Sequence, residues 1–364
     1  MKILLVGGGS GGPVAPLLAI ADEIKKTHPQ AKFLFVGGKT GPERQMAERA
    51  GFKFIFITSG KFRRYFSWTN FLAPIQVAMG FFQSLKIIKT FRPDCVFGAG
   101  SFVQVPMVWA AWWKGVPSLI HQQDVVPSLA NRLCQWPAKK ITVSLEISLT
   151  SFPSTVGIFY TKHKEDKIIL TGNPFREDLR HGSKDRAGLE FGLSANLPVL
   201  LVLGGGTGAQ FFNTLMAKAG RELGKSVQIL HSTGQGKNQK LDLPNYHAYE
   251  FIDNMADAYA AADIVVARAG LSTITELSHL KKASIIIPMP MSHQEVNGWW
   301  LMEQDAAIVL KQQRVKPEAF VSLIRKLLFS LEAQQELQKN ISKIMPHTAN
   351  SKISELIVKI IAKK

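Results

Sequence analysis

One segment of this chain is nearly duplicated, and that repeat restricts the possible folds more than any other feature. Leu4-Leu5-Val6-Gly7-Gly8-Gly9-Ser10-Gly11 returns as Leu201-Val202-Leu203-Gly204-Gly205-Gly206-Thr207-Gly208. Each copy is an apolar run and a glycine-rich turn, followed by a helical pattern over Pro16–Lys26 or Gln210–Leu223. Strand, glycine turn and helix open a βαβ unit. The chain therefore reads as two similar α/β domains in tandem, and its 364 residues are enough for both cores.

The alternation continues through each half. Short buried strands are expected at Phe33–Val36, Phe52–Ile57, Cys95–Phe97, Ser118–His121 and Lys140–Val143, then at Val227–His231, His247–Phe251, Ile264–Ala267, Ala283–Pro288 and Ala307–Leu310. Strands alternating with helices imply parallel sheets. Two Rossmann-like domains facing each other would put the carboxyl ends of both sheets on one cleft, where ligands sit in open α/β sheets.

Composition removes several classes of protein. With 46% hydrophobic and 20% charged residues, the chain is neither a disordered tail nor a coiled-coil rod. Its two cysteines, Cys95 and Cys134, make no disulfide framework and begin no CxxC zinc site. Met1–Val6 runs straight into Gly7, without the pattern of a signal peptide. Two uncharged stretches, Tyr65–Leu85 and Cys95–Trp113, are interrupted by polar residues, glycine and proline. Both fall short of the roughly 20 predominantly apolar residues of a membrane span.

The net charge of +17 is partly local. No acidic residue lies between Glu48 and Asp94, whereas Arg49, Lys53, Lys61, Arg63, Arg64, Lys86, Lys89 and Arg92 are interleaved with Phe66, Trp68, Phe71 and other apolar residues. A basic, aromatic-rich amphipathic segment suits an anionic bilayer interface. It would also suit a nucleic-acid backbone, and as a core-facing helix with solvated cations it would leave the missing acids unexplained.

The glycine turns point to anions, because no Cβ separates their backbone amides from a ligand. The second strand ends Val36-Gly37-Gly38 without the acid of a dinucleotide fingerprint, and neither copy has the Gly-Lys-Ser/Thr of a P-loop. NAD and ATP are thereby disfavoured. After the strand Ile264–Ala267, Thr273 and Glu276 have the spacing of a capping box. The same residues also suit a nucleotide, with N–H groups on a diphosphate and Glu276 on a ribose diol. Met289-Pro290-Met291 followed by His293-Gln294-Glu295-Val296-Asn297 reads as a polar loop over a sugar, and Arg176 of Gly172–Arg176 as a phosphate or inter-domain contact.

Eight motifs now stand in order: GGGSGG, GAGSFVQVP (Gly98–Pro106), HQQD (His121–Asp124), GNPFR (Gly172–Arg176), GGGTGAQFFN (Gly204–Asn213), EFIDNMADAYAAADIVVARAG (Glu250–Gly270), TITE (Thr273–Glu276) and HQEVN (His293–Asn297). In order and spacing they resemble the MurG-type glycosyltransferases, over roughly Lys2 to Leu310. These are UDP-N-acetylglucosamine:N-acetylmuramyl-(pentapeptide) pyrophosphoryl-undecaprenol N-acetylglucosamine transferases.

The resemblance implies the GT-B fold. An acceptor domain at 1–163, joined by a closing helix at 346–364, would precede a donor domain at 164–345. The donor implied is UDP-GlcNAc, with no metal or other cofactor. The implied reaction is inverting transfer to lipid I, giving lipid II in peptidoglycan synthesis at the cytoplasmic face of the plasma membrane. The partners are then the undecaprenyl-linked acceptor and the anionic membrane surface, the latter through Arg63, Arg64, Phe66, Trp68 and Phe71, and not nucleic acid. Within the same fold the alternatives are a glycolipid synthase acting on diacylglycerol and a catalytically silent donor-binding homologue.

Carried over residue by residue, Ile252 would pair with uracil through its backbone. The amides of Leu271, Ser272, Thr273, Ile274 and Thr275 would meet the phosphates, and Glu276 the ribose. Ser10, Gly11, Gly12 and Gly206 belong to the phosphate-contacting turns, while Arg176, His293, Gln294 and Asp124 would surround the sugar and diphosphate.

The chain also departs from the pattern. Pro13 stands where the family has a candidate histidine base, Gln122 and Asp124 replace a glutamate and an asparagine, and Gly206 replaces a serine. Proline accepts no proton, so the base is Asp124 or His121, or the protein does not turn over. Asp124 is the expected base, since the change from amide to carboxylate at that position supplies a base in a chain that has lost the family's histidine.

Overall fold

The computed structural model describes residues 1–9, 11–41, 43–60, 69–153, 155–156, 159–160, 166–206, 208–238 and 241–363. The chain divides into two compact units, Met1–Phe175 with Met345–Lys364, and Arg176–Ile344.

The first unit contains β1 (Lys2–Val6), α1 (Val14–Thr27), β2 (Lys32–Gly37), α2 (Glu43–Arg49), β3 (Lys53–Phe56), α3 (Thr69–Phe91), β4 (Cys95–Gly98), α4 (Gln104–Trp113), β5 (Ser118–Gln122), α5 (Leu129–Cys134) and β6 (Lys140–Val143). A two-stranded hairpin of β7 (Thr155–Val156) and β8 (Phe159–Tyr160) and then β9 (Ile168–Leu170) follow. The second unit contains α6 (Lys184–Phe191), β10 (Val199–Leu203), α7 (Gln210–Leu223), β11 (Gln228–Ser232), β12 (Tyr246–Tyr249), α8 (Met255–Ala261), β13 (Ile264–Ala267), α9 (Leu271–Leu280), β14 (Ser284–Ile286), α10 (Gln294–Glu303), β15 (Ile308–Val309), α11 (Pro317–Leu328) and α12 (Leu331–Ile341). A last helix, α13 (Ala349–Ala362), belongs to the first unit.

Both sheets are parallel, in the orders β3-β2-β1-β4-β5-β6-β9 and β12-β11-β10-β13-β14-β15. Counted within its own unit, each contains the doubly wound order 3-2-1-4-5-6, whose ligands bind beyond the carboxyl ends of the strands. Helices cover both faces, so central strands such as Ile3-Leu4-Leu5 and Leu200-Leu201-Val202 are buried throughout and read as continuous apolar runs.

Leu17, Ile20 and Ile24 of α1 share one core with Ile353, Ile357 and Ile360 of α13. Burying each such side chain contributes roughly 1.5–3 kcal/mol, which anchors the closing helix.

Two features differ from the sequence reading. β9 pairs with β6, Ile141 opposite Ile168, so 166–175 belongs to the first unit and does not open the second domain. Asn350 of α13 fastens this segment by a reciprocal pair of hydrogen bonds with the backbone of Phe175, 3.0 and 2.7 Å.

The uncharged Cys95–Trp113 stretch is divided between β4 and the largely buried apolar helix α4, and among the described residues no helix is long and apolar enough to cross a membrane. The segment from Gln294, read as a loop, is the start of α10.

Candidate active site

In the second unit the turns after β10, β13 and β14 lead into α7, α9 and α10 at the carboxyl edge of the sheet. Helix α9 starts at Leu271 with Gly270 in the N-cap position, φ −74° and ψ 133°, and no side chain caps it. The capping-box expectation is thereby corrected: Thr273 and Glu276 both lie inside the helix and neither is its cap. Leu271, Ser272, Thr273, Ile274 and Thr275 form the first turns, at the positive end of the helix dipole, an arrangement suited to an anion. A Cβ on Gly270 would meet nothing within 4 Å, so the approach to this end is open.

Glu276 is half-buried and accepts a 2.6 Å hydrogen bond from the Tyr259 hydroxyl of α8. Burial holds its carboxyl above the usual carboxylate range, against the opposing effects of that hydrogen bond and the nearby Arg176 guanidinium. Burial, followed by the charge of Glu276, pushes the Tyr259 phenol up, so it stays a donor. Arg176 makes an ion pair with Asp178.

Arg268, at the end of β13, donates from Nη1 to the Ile287 and Pro288 carbonyls at 2.9 and 3.1 Å and lies over the Phe212 ring at 4.8 Å. It therefore sets the ends of β13 and β14 against the start of α7. Buried Asn297 of α10 donates to the Ala269 carbonyl at 3.0 Å, tying α10 to the turn before α9.

Gln294 is in the first turn of α10 and its Oε1 accepts from Met289 N at 3.0 Å. His293 precedes it, exposed, in the N-cap position. Helix forms here because the Ser292 hydroxyl accepts from Gln294 N at 3.2 Å and the burial of Trp300 and Leu301 holds the helix down. Ile252 lies between β12 and α8 with 2% exposure, and Gly206 is exposed in the turn after β10. The second unit thus brings Arg176 near Glu276, and the starts of α9 and α10 together.

The two glycine turns are not copies in conformation. The left-handed residue is Gly9 in the first, φ +83°, whereas the second has Gly205, φ +82° and one place earlier in the repeat, and Gly208, φ +69°. Gly11 and Gly12 are half-buried, and the Gly11 carbonyl starts α1 by accepting from Val14 N at 3.1 Å.

His121 does not face a ligand. It is 0% exposed, its Nδ1 is 2.9 Å from Thr142 Oγ1 and its Nε2 is 2.8 Å from Asn173 Oδ1. Burial lowers its pKa to about 4, against a raising contribution from Asn173. A neutral imidazole with both nitrogens engaged inside the sheet is a structural residue, so the expectation of His121 as base is corrected.

Asp124 is half-buried in the loop after β5. Gln122 holds that loop, donating from Nε2 to the Asp124 and Val126 carbonyls at 2.8 and 3.1 Å, while its Oε1 accepts from Asn131. Asn131 in turn bonds Gln104, whose Oε1 accepts from Gly100 N at 2.8 Å. A carboxylate at position 122 has no N–H to donate, so the glutamine is what allows this latch.

Ser10, Arg63, Arg64, Phe66 and Trp68 lie outside the described residues, as does the side chain of Phe71. Among the described residues no group of three or more His, Cys, Asp or Glu side chains stands where it could hold a metal ion. Sequence reasoning gave no role to Tyr259, Arg268, Gln104 or Asn131. Their partners come from other elements, and no local spacing signals such pairs.

Two family models match, described as the glycosyltransferase family 28 N-terminal domain over residues 3–143 and the glycosyltransferase family 28 C-terminal domain over residues 199–354. A protein of Desulforamulus reducens is 34% identical over 381 aligned positions, covering 100% of both chains. One of Clostridium botulinum is 35% identical over 367, covering 98% of this chain and 99% of that one. Each is named a UDP-N-acetylglucosamine--N-acetylmuramyl-(pentapeptide) pyrophosphoryl-undecaprenol N-acetylglucosamine transferase. The crystal structure of Acinetobacter baumannii MurG shares the fold, with a TM-score of 0.69 at 24% identity over 98% of this chain and 99% of that one.

Proposed function

The chain belongs to glycosyltransferase family 28, and from that premise we propose that it transfers N-acetylglucosamine from UDP-N-acetylglucosamine to undecaprenyl-pyrophosphoryl-N-acetylmuramyl-pentapeptide, with inversion at the anomeric carbon. The observation that carries the proposal is identity of 34–35%, end to end, to relatives named for that reaction. It favours this acceptor over diacylglycerol, because fold alone is shared by many chemistries.

The second unit takes the donor. N–H groups at the start of α9 receive the diphosphate, with Gly206 in the neighbouring turn, and Glu276 accepts from the ribose. The backbone at Ile252 meets the uracil. Arg176, His293 and Gln294 surround the sugar and phosphates. The first unit takes the acceptor beside its glycine turn, at Ser10, Gly11 and Gly12.

In the transfer, the acceptor hydroxyl attacks the anomeric carbon as the bond to the UDP oxygen breaks. The hydroxyl proton passes to the Asp124 carboxylate, and UDP departs carrying the electron pair. Helix-terminal N–H groups oriented before the reaction stabilise that developing charge. Incubating the full chain with UDP-N-acetylglucosamine and either the undecaprenyl acceptor or diacylglycerol, and following UDP release, tests the proposal. Release is expected with the first lipid alone; release with diacylglycerol alone, or with neither, would sink it.

The same unit docks on an anionic membrane surface. On α3, Ile75, Met79 and Phe82 form an exposed stripe, 59%, 51% and 68% exposed, and Trp113 of α4 is 67% exposed. A cavity of about 620 Å³ between α3, α4 and α5 is lined by Pro74, Phe81, Phe102, Trp109 and Leu133. These surfaces continue the basic segment that ends at Arg92. Vesicles containing phosphatidylglycerol should bind the chain at low salt and release it as salt is added. The Ile75→Ser/Met79→Ser/Phe82→Ser variant should bind about tenfold or more weakly. Equal binding to neutral vesicles, or no effect of the triple substitution, contradicts this reading.

A further inference from the structure

Glu43, the first residue of α2, is 0% exposed, and nothing in the transfer chemistry uses it. Its Oε1 accepts a hydrogen bond from Gly38 N at 3.1 Å, and its Oε2 has no partner among the described residues. Glycines from two different turns surround it. A Cβ on Gly8 would lie 2.5 Å from Glu43 Oε1, and one on Gly41 would lie 2.0 Å from Oε2. On Gly37 it would lie 2.8 Å from Glu43 Cγ, and on Gly38 3.1 Å from Oε1. Gly8 is in the turn after β1, Gly37 ends β2, and Gly38 and Gly41 are in the turn that follows it. The glutamate thus fills the space that side chains on either turn would need. In the second unit, a Cβ on Gly205 or Gly206 would meet nothing within 4 Å, while one on Gly208 would lie 2.1 Å from the Thr233 carbonyl oxygen, so that turn packs on its neighbour directly through backbone.

A buried carboxyl oxygen without a hydrogen-bond partner is costly to keep. Here Glu43 separates the turn after β1 from its neighbour. We propose that Glu43 is a positioning residue for the transfer: without touching substrate, it holds Gly7–Gly9 in the shape that receives the acceptor. The kinetic part of this inference rests on the proposed transferase reading; the structural part does not.

Four full-length variants separate the outcomes. Glu43→Ala should raise the KM for the lipid acceptor about tenfold or more while the KM for UDP-N-acetylglucosamine stays within about twofold. Glu43→Gln keeps the shape and an oxygen for Gly38 N, so it should recover most of the acceptor affinity. Gly8→Ala, which drives a methyl against the carboxylate, should reproduce the acceptor defect, and less so in a Glu43→Ala background. Amide hydrogen exchange over residues 7–12 and 37–41 should quicken about tenfold or more in Glu43→Ala, with the second unit unchanged.

An equal rise in both KM values, an unchanged acceptor KM, or unchanged exchange over those turns would overturn the positioning role. Where Glu43→Ala does not fold, Gly8→Ala alone decides by the same readings. If the wild-type chain releases no UDP with the lipid acceptor, the transferase reading fails, and the exchange measurement still decides whether Glu43 holds the turns.

Discussion

Replacing Asp124 by asparagine should lower the turnover of sugar transfer by about 10²- to 10⁴-fold, the range a positioned general base supplies, while UDP binding is retained. The expectation rests on elimination together with geometry. Pro13, which precedes α1, has no proton acceptor in its side chain. His121 is enclosed by Thr142 and Asn173, with its pKa lowered to about 4. Asp124 stands in the loop after β5, held through its own carbonyl by Gln122. The substitution keeps that backbone contact, so thermal stability should change by no more than about 0.5 kcal/mol. A stronger form of the test restores the family pattern. Pro13→His combined with Asp124→Asn should regain much of the lost turnover, because a base returns when the carboxylate leaves. Full turnover in Asp124→Asn alone would discard this assignment.

The second large effect is expected on donor affinity. Glu276→Ala removes a carboxylate that Tyr259 orients at 2.6 Å, and hydrogen bonds to a charged group contribute about 1.5–3 kcal/mol. The KM for UDP-N-acetylglucosamine should therefore rise about tenfold to a hundredfold with little change in kcat, the signature of lost ground-state and transition-state binding alike. Calorimetry with UDP and with 2′,3′-dideoxy-UDP makes the test specific. Wild type should prefer UDP, whereas Glu276→Ala should bind the two about equally. If wild type binds both ligands alike, Glu276 does not read the ribose. Glu276→Gln keeps an oxygen for the Tyr259 hydroxyl, and so separates loss of the ribose contact from loss of packing between α8 and α9.

Much of the architecture was legible in the sequence because parallel strands covered on both faces leave a simple mark. Leu4-Leu5-Val6 and Leu201-Val202-Leu203 are unbroken apolar runs ending in glycines, and they are the strands at the centre of the two sheets. Helix α7 has the bounds expected from its periodicity, Gln210–Leu223. Segments whose state depends on distant partners were less legible. The residues from Gln294 look like a polar loop until the Ser292 hydroxyl accepts from Gln294 N and Trp300 and Leu301 find a core. Thr273 and Glu276 have capping-box spacing, but the turn at Gly270 starts the helix earlier and leaves both inside it.

By itself the sequence determined two parallel α/β domains, the glycine turns that open them, and the departure of Pro13 and Asp124 from the family pattern. These are local properties: an apolar run, a missing Cβ, and the presence or absence of a group that takes a proton. Only the tertiary structure decided that His121 is structural, that Tyr259 aims Glu276, and that Ile168–Leu170 completes the first sheet. It also decided that the two glycine turns differ, one packed on the Glu43 side chain and the other on the backbone at Thr233 and Gly234. Each of these turns on burial and hydrogen-bond partners far apart in the chain, such as Asn173 for His121 or Gly8 for Glu43, and a partner's identity is set by how strands and helices pack.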